Sequence, residues 1–150
     1  MLRLSRKTML ALEAVLDIAY NARPDPVQAK DITARQGIPQ RYLEQVMQSL
    51  VHNGILKGVR GPRGGYTLAR ERRKITVGDV VRVVDQLDAE SESDPLSQAE
   101  LGEQVIAPLW AETRTLVLDK LDCVSMEDLC RQARESGITP VIKDTPDFTI

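Results

Sequence analysis

Apolar residues recur along the first part of the chain at helical spacing. Leu12, Val15, Leu16, Ala19 and Tyr20 fall at i, i+3, i+4, i+7 and i+8, which predicts an amphipathic helix over residues 5–22. Arg23-Pro24-Asp25-Pro26 breaks that pattern. A short second helix is expected over residues 27–36, with Ala29, Ile32 and Thr33 turned inward and Gly37 ending it. After Gly37-Ile38-Pro39 a third begins, in which Leu43, Val46, Met47 and Leu50 repeat the spacing until Asn53-Gly54 closes it. A fourth opens at Thr76-Val77-Gly78-Asp79, where a threonine N-cap is followed three places on by an acid. Val80, Val81, Val83, Val84 and Leu87 supply its buried side.

Beyond residue 98 the pattern widens. Leu101, Val105, Leu109 and Leu116 form one apolar line, and Ile106, Trp110, Val117 and Leu121 a second, more apolar surface than a single packing partner needs. A long helix that dimerises uses both lines. Pro108 interrupts it, so the element either kinks there or begins near Ala107-Pro108 with residues 98–106 as a separate turn. Ser125-Met126-Glu127-Asp128 opens a last short helix ending near Ser136, and Gly137, Pro140 and Pro146 mark residues 137–150 as a mobile tail.

The second and third helices, joined by a tight turn containing glycine, make a helix-turn-helix. With Leu43, Val46, Met47 and Leu50 buried, the third helix points Gln40, Arg41, Glu44, Gln45, Gln48, Ser49 and His52 outward, with Tyr42 on the flank. These side chains suit base edges: Arg pairs with guanine, Gln with adenine, and Glu accepts from the cytosine amino group. A solvated helix carries the same residue types, so the following segment matters. There, Ile55 to Arg60 and Tyr66-Thr67-Leu68 are short β-prone runs around Gly61-Pro62-Arg63-Gly64-Gly65. In this hairpin Pro62 fixes φ, Gly64-Gly65 are expected to take positive φ, and Arg60 and Arg63 stand near the tip. The turn lacks the Gly-Lys-Ser/Thr ending of a phosphate-binding loop. A basic hairpin after a helix-turn-helix is a wing, and its arginines suit a narrow minor groove. The fold class is therefore mainly α with a small β-hairpin wing, a winged helix-turn-helix domain joined to a long C-terminal dimerisation helix.

Charge sharpens the picture. Residues 1–75 hold 14 Lys and Arg against 6 Asp and Glu, net +8, and residues 76–150 hold 6 against 16, net −10, within a chain of net −2. Clustered cations at one end are what contact with a phosphate backbone requires. The acidic run Asp88 to Pro95 lacks apolar periodicity and reads as a linker. The organisation expected is a winged domain over residues 1–87, a linker over 88–97, dimerisation helices over 98–136 and the tail over 137–150. No apolar run is long enough to cross a bilayer, and Met1 to Lys7 lack the apolar core of a secretion signal, so a cytoplasmic protein without membrane contact is expected.

Two cysteines, Cys123 and Cys130, build neither a disulfide framework nor a four-cysteine metal site. They read as small core hydrophobes or, alternatively, as redox-reactive thiols. His52 stands outside any nucleophile motif and no catalytic set is visible, so no enzyme is expected.

Leu2-Arg3-Leu4-Ser5, Arg41-Tyr42-Leu43-Glu44-Gln45, Val59 to Tyr66 and Thr76 to Val81 together resemble the Rrf2 (IscR-like) family of winged-helix transcription regulators. The resemblance covers about residues 1–136. It implies a homodimer, a repressor with crossed long helices, whose two recognition helices and two wings lie on a palindromic double-stranded operator. It carries DNA contact to Arg41, Tyr42, Glu44 and Gln45 and to the wing residue Arg60, while the residue pattern itself adds Gln48 and Arg63 as DNA contacts, Gly61, Pro62, Gly64 and Gly65 as the wing turn, and Leu109, Trp110, Leu116 and Val117 as the dimerisation surface. Control of iron–sulfur, iron, cysteine or redox-stress genes follows from the same likeness. Cluster-binding members carry three cysteines before the long helix and often a histidine beside it. Here residues 86–107 hold neither Cys nor His. No resident cofactor or metal is therefore expected, and the signal falls to a small molecule, a protein partner or thiol oxidation. Two other readings are a cluster or redox sensor using Cys123, Cys130 and His52, and a scaffold that binds proteins through the acidic half.

Overall fold

The computed structural model describes residues 4–21, 25–91 and 99–141. Helix α1 (Arg6–Asn21) runs through the centre of the domain against α4 (Val77–Ser91) and α6 (Met126–Glu135). Its most buried positions are Ala11, Ala14, Val15 and Ile18, whereas Leu12, Leu16 and Tyr20 pack half-buried beside them. The stripe read from the sequence is thus part of a wider buried face, with Val15 and Ala19 in the core and Leu12, Leu16 and Tyr20 along its edge. Two small residues, Ala11 and Ala14, are fully buried on that face, and large-residue periodicity does not register them.

Helix α2 (Ala29–Gln36) starts later than expected, because Val27 joins the wing instead. The Val27 N–H donates to the Tyr66 carbonyl at 3.0 Å and the Tyr66 N–H returns the bond at 2.8 Å. Gly37, at φ +65°, ends α2 in the left-handed region. Asp17 of α1, its side chain fully buried, accepts from Arg35 at 2.9 and 2.7 Å and from Gln36 at 2.8 Å, tying α1 to α2. Helix α3 (Gln40–His52) buries Leu43, Val46, Met47 and Leu50 completely and closes at Asn53, with Gly54 at φ +74°.

Strands β1 (Leu56–Val59) and β2 (Gly65–Leu68) pair antiparallel, from Leu56 opposite Leu68 to Val59 opposite Gly65. Val27 flanks β2 on its other side. A 3-10 turn (Arg72–Lys74) leads to α4, whose start is capped as expected: Thr76 N–H donates to Asp79 at 3.0 Å and Asp79 N–H to Thr76 Oγ1 at 3.1 Å. Asp88 to Ser91, assigned from sequence to the linker, form the last turn of α4. The rest of that linker lies outside the described residues, which resume at residue 99.

Helix α5 (Ala107–Asp122) begins at Ala107, as one of the two sequence alternatives has it, and the turn before it is π-helical (Gly102–Ile106). Pro108 falls in the first turn of α5, and the wider π turn gives its ring room where an α turn would clash. Ser125 and Asp128 form a reciprocal capping box for α6, with bonds of 2.9 and 3.1 Å. Met126 and Cys130 of α6 enter the same core as α1 and α3. The tail begins fastened: Tyr20 donates its hydroxyl to the Ile138 carbonyl, and Val141 N–H donates to Asn21 Oδ1 at 2.8 Å. Residues 142–150 lie outside the described residues.

Candidate nucleic-acid interface

Helix α3 is strongly two-sided. Opposite its buried row, Gln40, Arg41, Glu44, Gln45, Gln48 and His52 are exposed, the arrangement anticipated from the spacing. Gln40 Nε2 donates to Glu44 Oε1 at 3.1 Å, which occupies one carboxylate oxygen and leaves the other free to accept. Tyr42 differs from its neighbours. Its ring is half-buried and its hydroxyl donates to the Lys7 carbonyl at the start of α1. Burial, with a smaller contribution from the Asp88 carboxylate, pushes its pKa up to about 12. Tyr42 therefore seats α3 on α1, instead of presenting a free hydroxyl as its place on the flank suggests.

The wing turn also works differently in detail. Gly61, at φ +115°, takes the left-handed conformation expected of Gly64 and Gly65. Those two are glycines because of crowding: a Cβ on Gly64 would collide with the Val59 carbonyl, and one on Gly65 with the Val27 carbonyl. Gly64 N–H donates to the Gly61 carbonyl at 2.9 Å, closing the loop around Pro62 and Arg63. Arg60 and Arg63 are exposed at the tip, and Lys57, not singled out from the sequence, is exposed on β1. Its signal was its positive charge on the strand that leads into the basic wing tip.

Ion pairs sort the basic residues. Arg35 pairs with Asp17, Arg70 with Asp79 at 3.7 Å, Arg72 with Glu127, and Arg73 with Glu71 at 2.5 Å. Arg70 and Arg72 thus stitch the wing's exit to α4 and α6, while Arg73 pairs within the exit itself. Among the described residues no ion pair engages Arg41, Lys57, Arg60 or Arg63, so their charges are available to an anionic partner. Unpaired guanidinium groups on one helix face and one hairpin tip can donate to base edges and to phosphate oxygens.

Helix α5 carries the other expected surface. Leu109, Trp110, Leu116 and Val117 are 57, 56, 65 and 45 % exposed, and Leu101, Val105 and Ile106 are exposed before them. A recess of about 530 Å³ between α1, α4 and α5 is lined by Leu4, Thr8, Val81, Trp110 and Arg114.

The two thiols are free and unlike each other. Cys123 is exposed and donates to the Asp119 carbonyl at 3.4 Å, whereas Cys130 is fully buried. Burial pushes the Cys130 thiol pKa up, against the nearby Arg72 guanidinium. His52 stands on α3, away from α6 in the chain and on the polar face. Among the described residues no group of three or more His, Cys, Asp or Glu side chains is placed to hold a metal. No described helix is long and apolar enough to cross a membrane.

The family model for Rrf2, an iron-dependent transcriptional regulator, matches residues 4–132. The HTH-type transcriptional regulator IscR of Xenorhabdus nematophila is 34% identical over 131 residues, covering 87% of this chain and 80% of that protein. The solved structure of T. potens IscR superposes with a TM-score of 0.71 at 33% identity, over 90% of both chains. That of CymR (YrzC), the global cysteine regulator of B. subtilis, gives 0.67 at 31% identity, over 88% of this chain and 98% of the other.

Proposed function

The chain belongs to the Rrf2 family of transcriptional regulators, and from that premise we propose that it is a sequence-specific repressor acting as a homodimer on a palindromic operator. In this reading α3 of each protomer enters a major groove, where Arg41, Glu44 and Gln45 read base edges and Gln48 supports them. Arg60 and Arg63 enter the flanking minor groove, Lys57 meets phosphate, and Tyr42 positions α3. The observation that carries the reading is the division of the arginines: those at the wing exit are neutralised internally, while those on the α3 face and wing tip are not.

The dimer uses the exposed apolar rows of α5, including Leu109, Trp110, Leu116 and Val117. The genes controlled belong to iron–sulfur, iron, cysteine or redox-stress metabolism, consistent with the names of the IscR and CymR relatives. The donor set does not fit a cysteine-held cluster, with one thiol in the core and one at the end of α5. We assign the signal to a small molecule, a protein partner or oxidation of Cys123, in a cytoplasmic protein.

The test is selection of an operator from random-sequence duplexes, followed by affinity across a salt series. Binding should fall steeply with salt, and Arg60→Ala should weaken it about tenfold and reduce the salt slope by about 2, one cation being lost from each protomer. Equal affinity for every duplex would overturn the proposal.

A further inference from the structure

Helix α5 is fixed to the winged domain mainly at its C-terminal end. There Asp122 accepts two bonds from the Arg82 guanidinium of α4, at 2.6 and 2.7 Å. The pairing holds the Asp122 carboxyl below its usual range. The turn that follows is stitched down by backbone bonds, Val77 N–H to the Val124 carbonyl and Met126 N–H to the Ile75 carbonyl, both 2.8 Å. Two turns back along α5, Arg114 donates to Asp85 of α4 at 2.7 Å. Each helix thus gives one arginine and one aspartate to the other, which opposes both sliding and rotation between them.

Gly78 completes the arrangement. It is buried within α4 at an ordinary helical φ, so no backbone conformation requires glycine there. A Cβ would collide with Asp122 Oδ1, the very oxygen that Arg82 Nη1 grips. Glycine is a poor residue inside a helix, and what its absent side chain secures here is the close seat of the Asp122–Arg82 pair. Further along α5, Leu109, Trp110 and Leu116 project from this fixed base with more than half of their surface exposed.

We propose that Gly78, Arg82 and Asp122 are positioning residues that set the operator spacing the protein accepts. The inference rests on the dimeric DNA-binding reading above. If the exposed part of α5 meets a second copy, the angle at which α5 leaves α4 fixes the separation of the two α3 helices, and hence of the half-sites they fit. These three residues touch neither base nor phosphate; they act through the pose of α5.

The experiment uses the full chain and four duplexes: the operator selected by the wild-type protein, its isolated half-site, and the operator with its centre longer or shorter by one base pair. Asp122→Asn and Gly78→Ala are compared with wild type. Both variants should sediment as the wild-type dimer and bind the half-site within about twofold of wild type, since an exposed pair contributes little locally. Affinity for the full operator should fall about tenfold, within the usual range of couplings between sites, and discrimination against the altered spacings should shrink. Equal proportional losses on half-site and operator, or unchanged spacing preference in Asp122→Asn, would overturn the proposal. Should Gly78→Ala fail to fold, Asp122→Asn decides alone. A wild-type protein that selects no operator sinks the DNA-binding reading and the spacing role together, whereas selection with an unaltered Asp122→Asn preference sinks the spacing role only.

Discussion

Tyr42 shows how one side chain divides between recognition and architecture. On α3 it neighbours Arg41, yet its hydroxyl is spent on the Lys7 carbonyl and its ring on the core edge. Because burial raises its pKa to about 12, the fold favours the neutral phenol. The stability tied to this preference is complete below the unfolded pKa of about 10 and is lost as pH rises from there through the folded value. An alkaline ultraviolet titration should show a late ionisation step, and Tyr42→Phe should remove it. Gly65 offers a second residue-level test. Gly65→Ala forces a Cβ into the Val27 carbonyl and should cost about 1–3 kcal/mol while displacing the wing arginines, so thermal stability and DNA affinity both fall. Gly58→Ala, with nothing within 4 Å of the added Cβ, is the neutral control on the adjacent strand.

At the scale of elements, helix ends and one buried carboxylate carry much of the specification. Removing the α6 cap with Ser125→Ala should cost about 1 kcal/mol and lower Tm by a few degrees. Arg35→Ala is more severe, because it leaves the fully buried Asp17 carboxylate without its cation; about 3–5 kcal/mol is expected by denaturant unfolding, with Asp17→Asn in the same background recovering part of the loss. Caps and faces were also what the sequence made legible. Thr76 with Asp79, Ser125 at the start of α6, and the buried row of α3 all follow from local spacing, and the structure has them in those roles. What stayed hidden depends on distant partners. Val27 becomes strand-like only because Tyr66, far along the chain, offers its backbone. The α1 stripe was legible but narrower than the buried face, because Ala11 and Ala14 carry little hydrophobic signal yet are fully buried. Arg70 to Arg73 look like a nucleic-acid footprint until Asp79 and Glu127 are folded against them. Gly64 and Gly65 were legible as glycines that matter, but the reason is crowding, by the Val59 carbonyl within the hairpin for Gly64 and by the distant Val27 carbonyl for Gly65.

For the whole molecule, two different surfaces stand on one core: a cation-bearing α3 and wing, and an apolar α5 whose base is pinned to the same core. Exposed Leu109, Trp110, Leu116 and Val117 on one helix make a contiguous apolar surface of the kind that marks an interaction site. If that surface joins two copies, affinity for a palindromic operator is bivalent and should collapse when the copies part, although each winged domain remains intact. Leu116→Glu tests this with little risk to the fold, because Leu116 is 65 % exposed and the core lies on the other side of α5. The variant should sediment as a monomer, keep its far-ultraviolet circular dichroism, and lose about 10²- to 10⁴-fold in operator affinity, the contribution of tethering two sites. Its salt dependence should fall to about half the wild-type slope, since half as many phosphates are neutralised per binding event. A Leu116→Glu protein that remains dimeric and binds the operator normally would place the dimer contact elsewhere, and one that loses half-site binding as well would show that α5 supports the α3 surface directly rather than by pairing two of them.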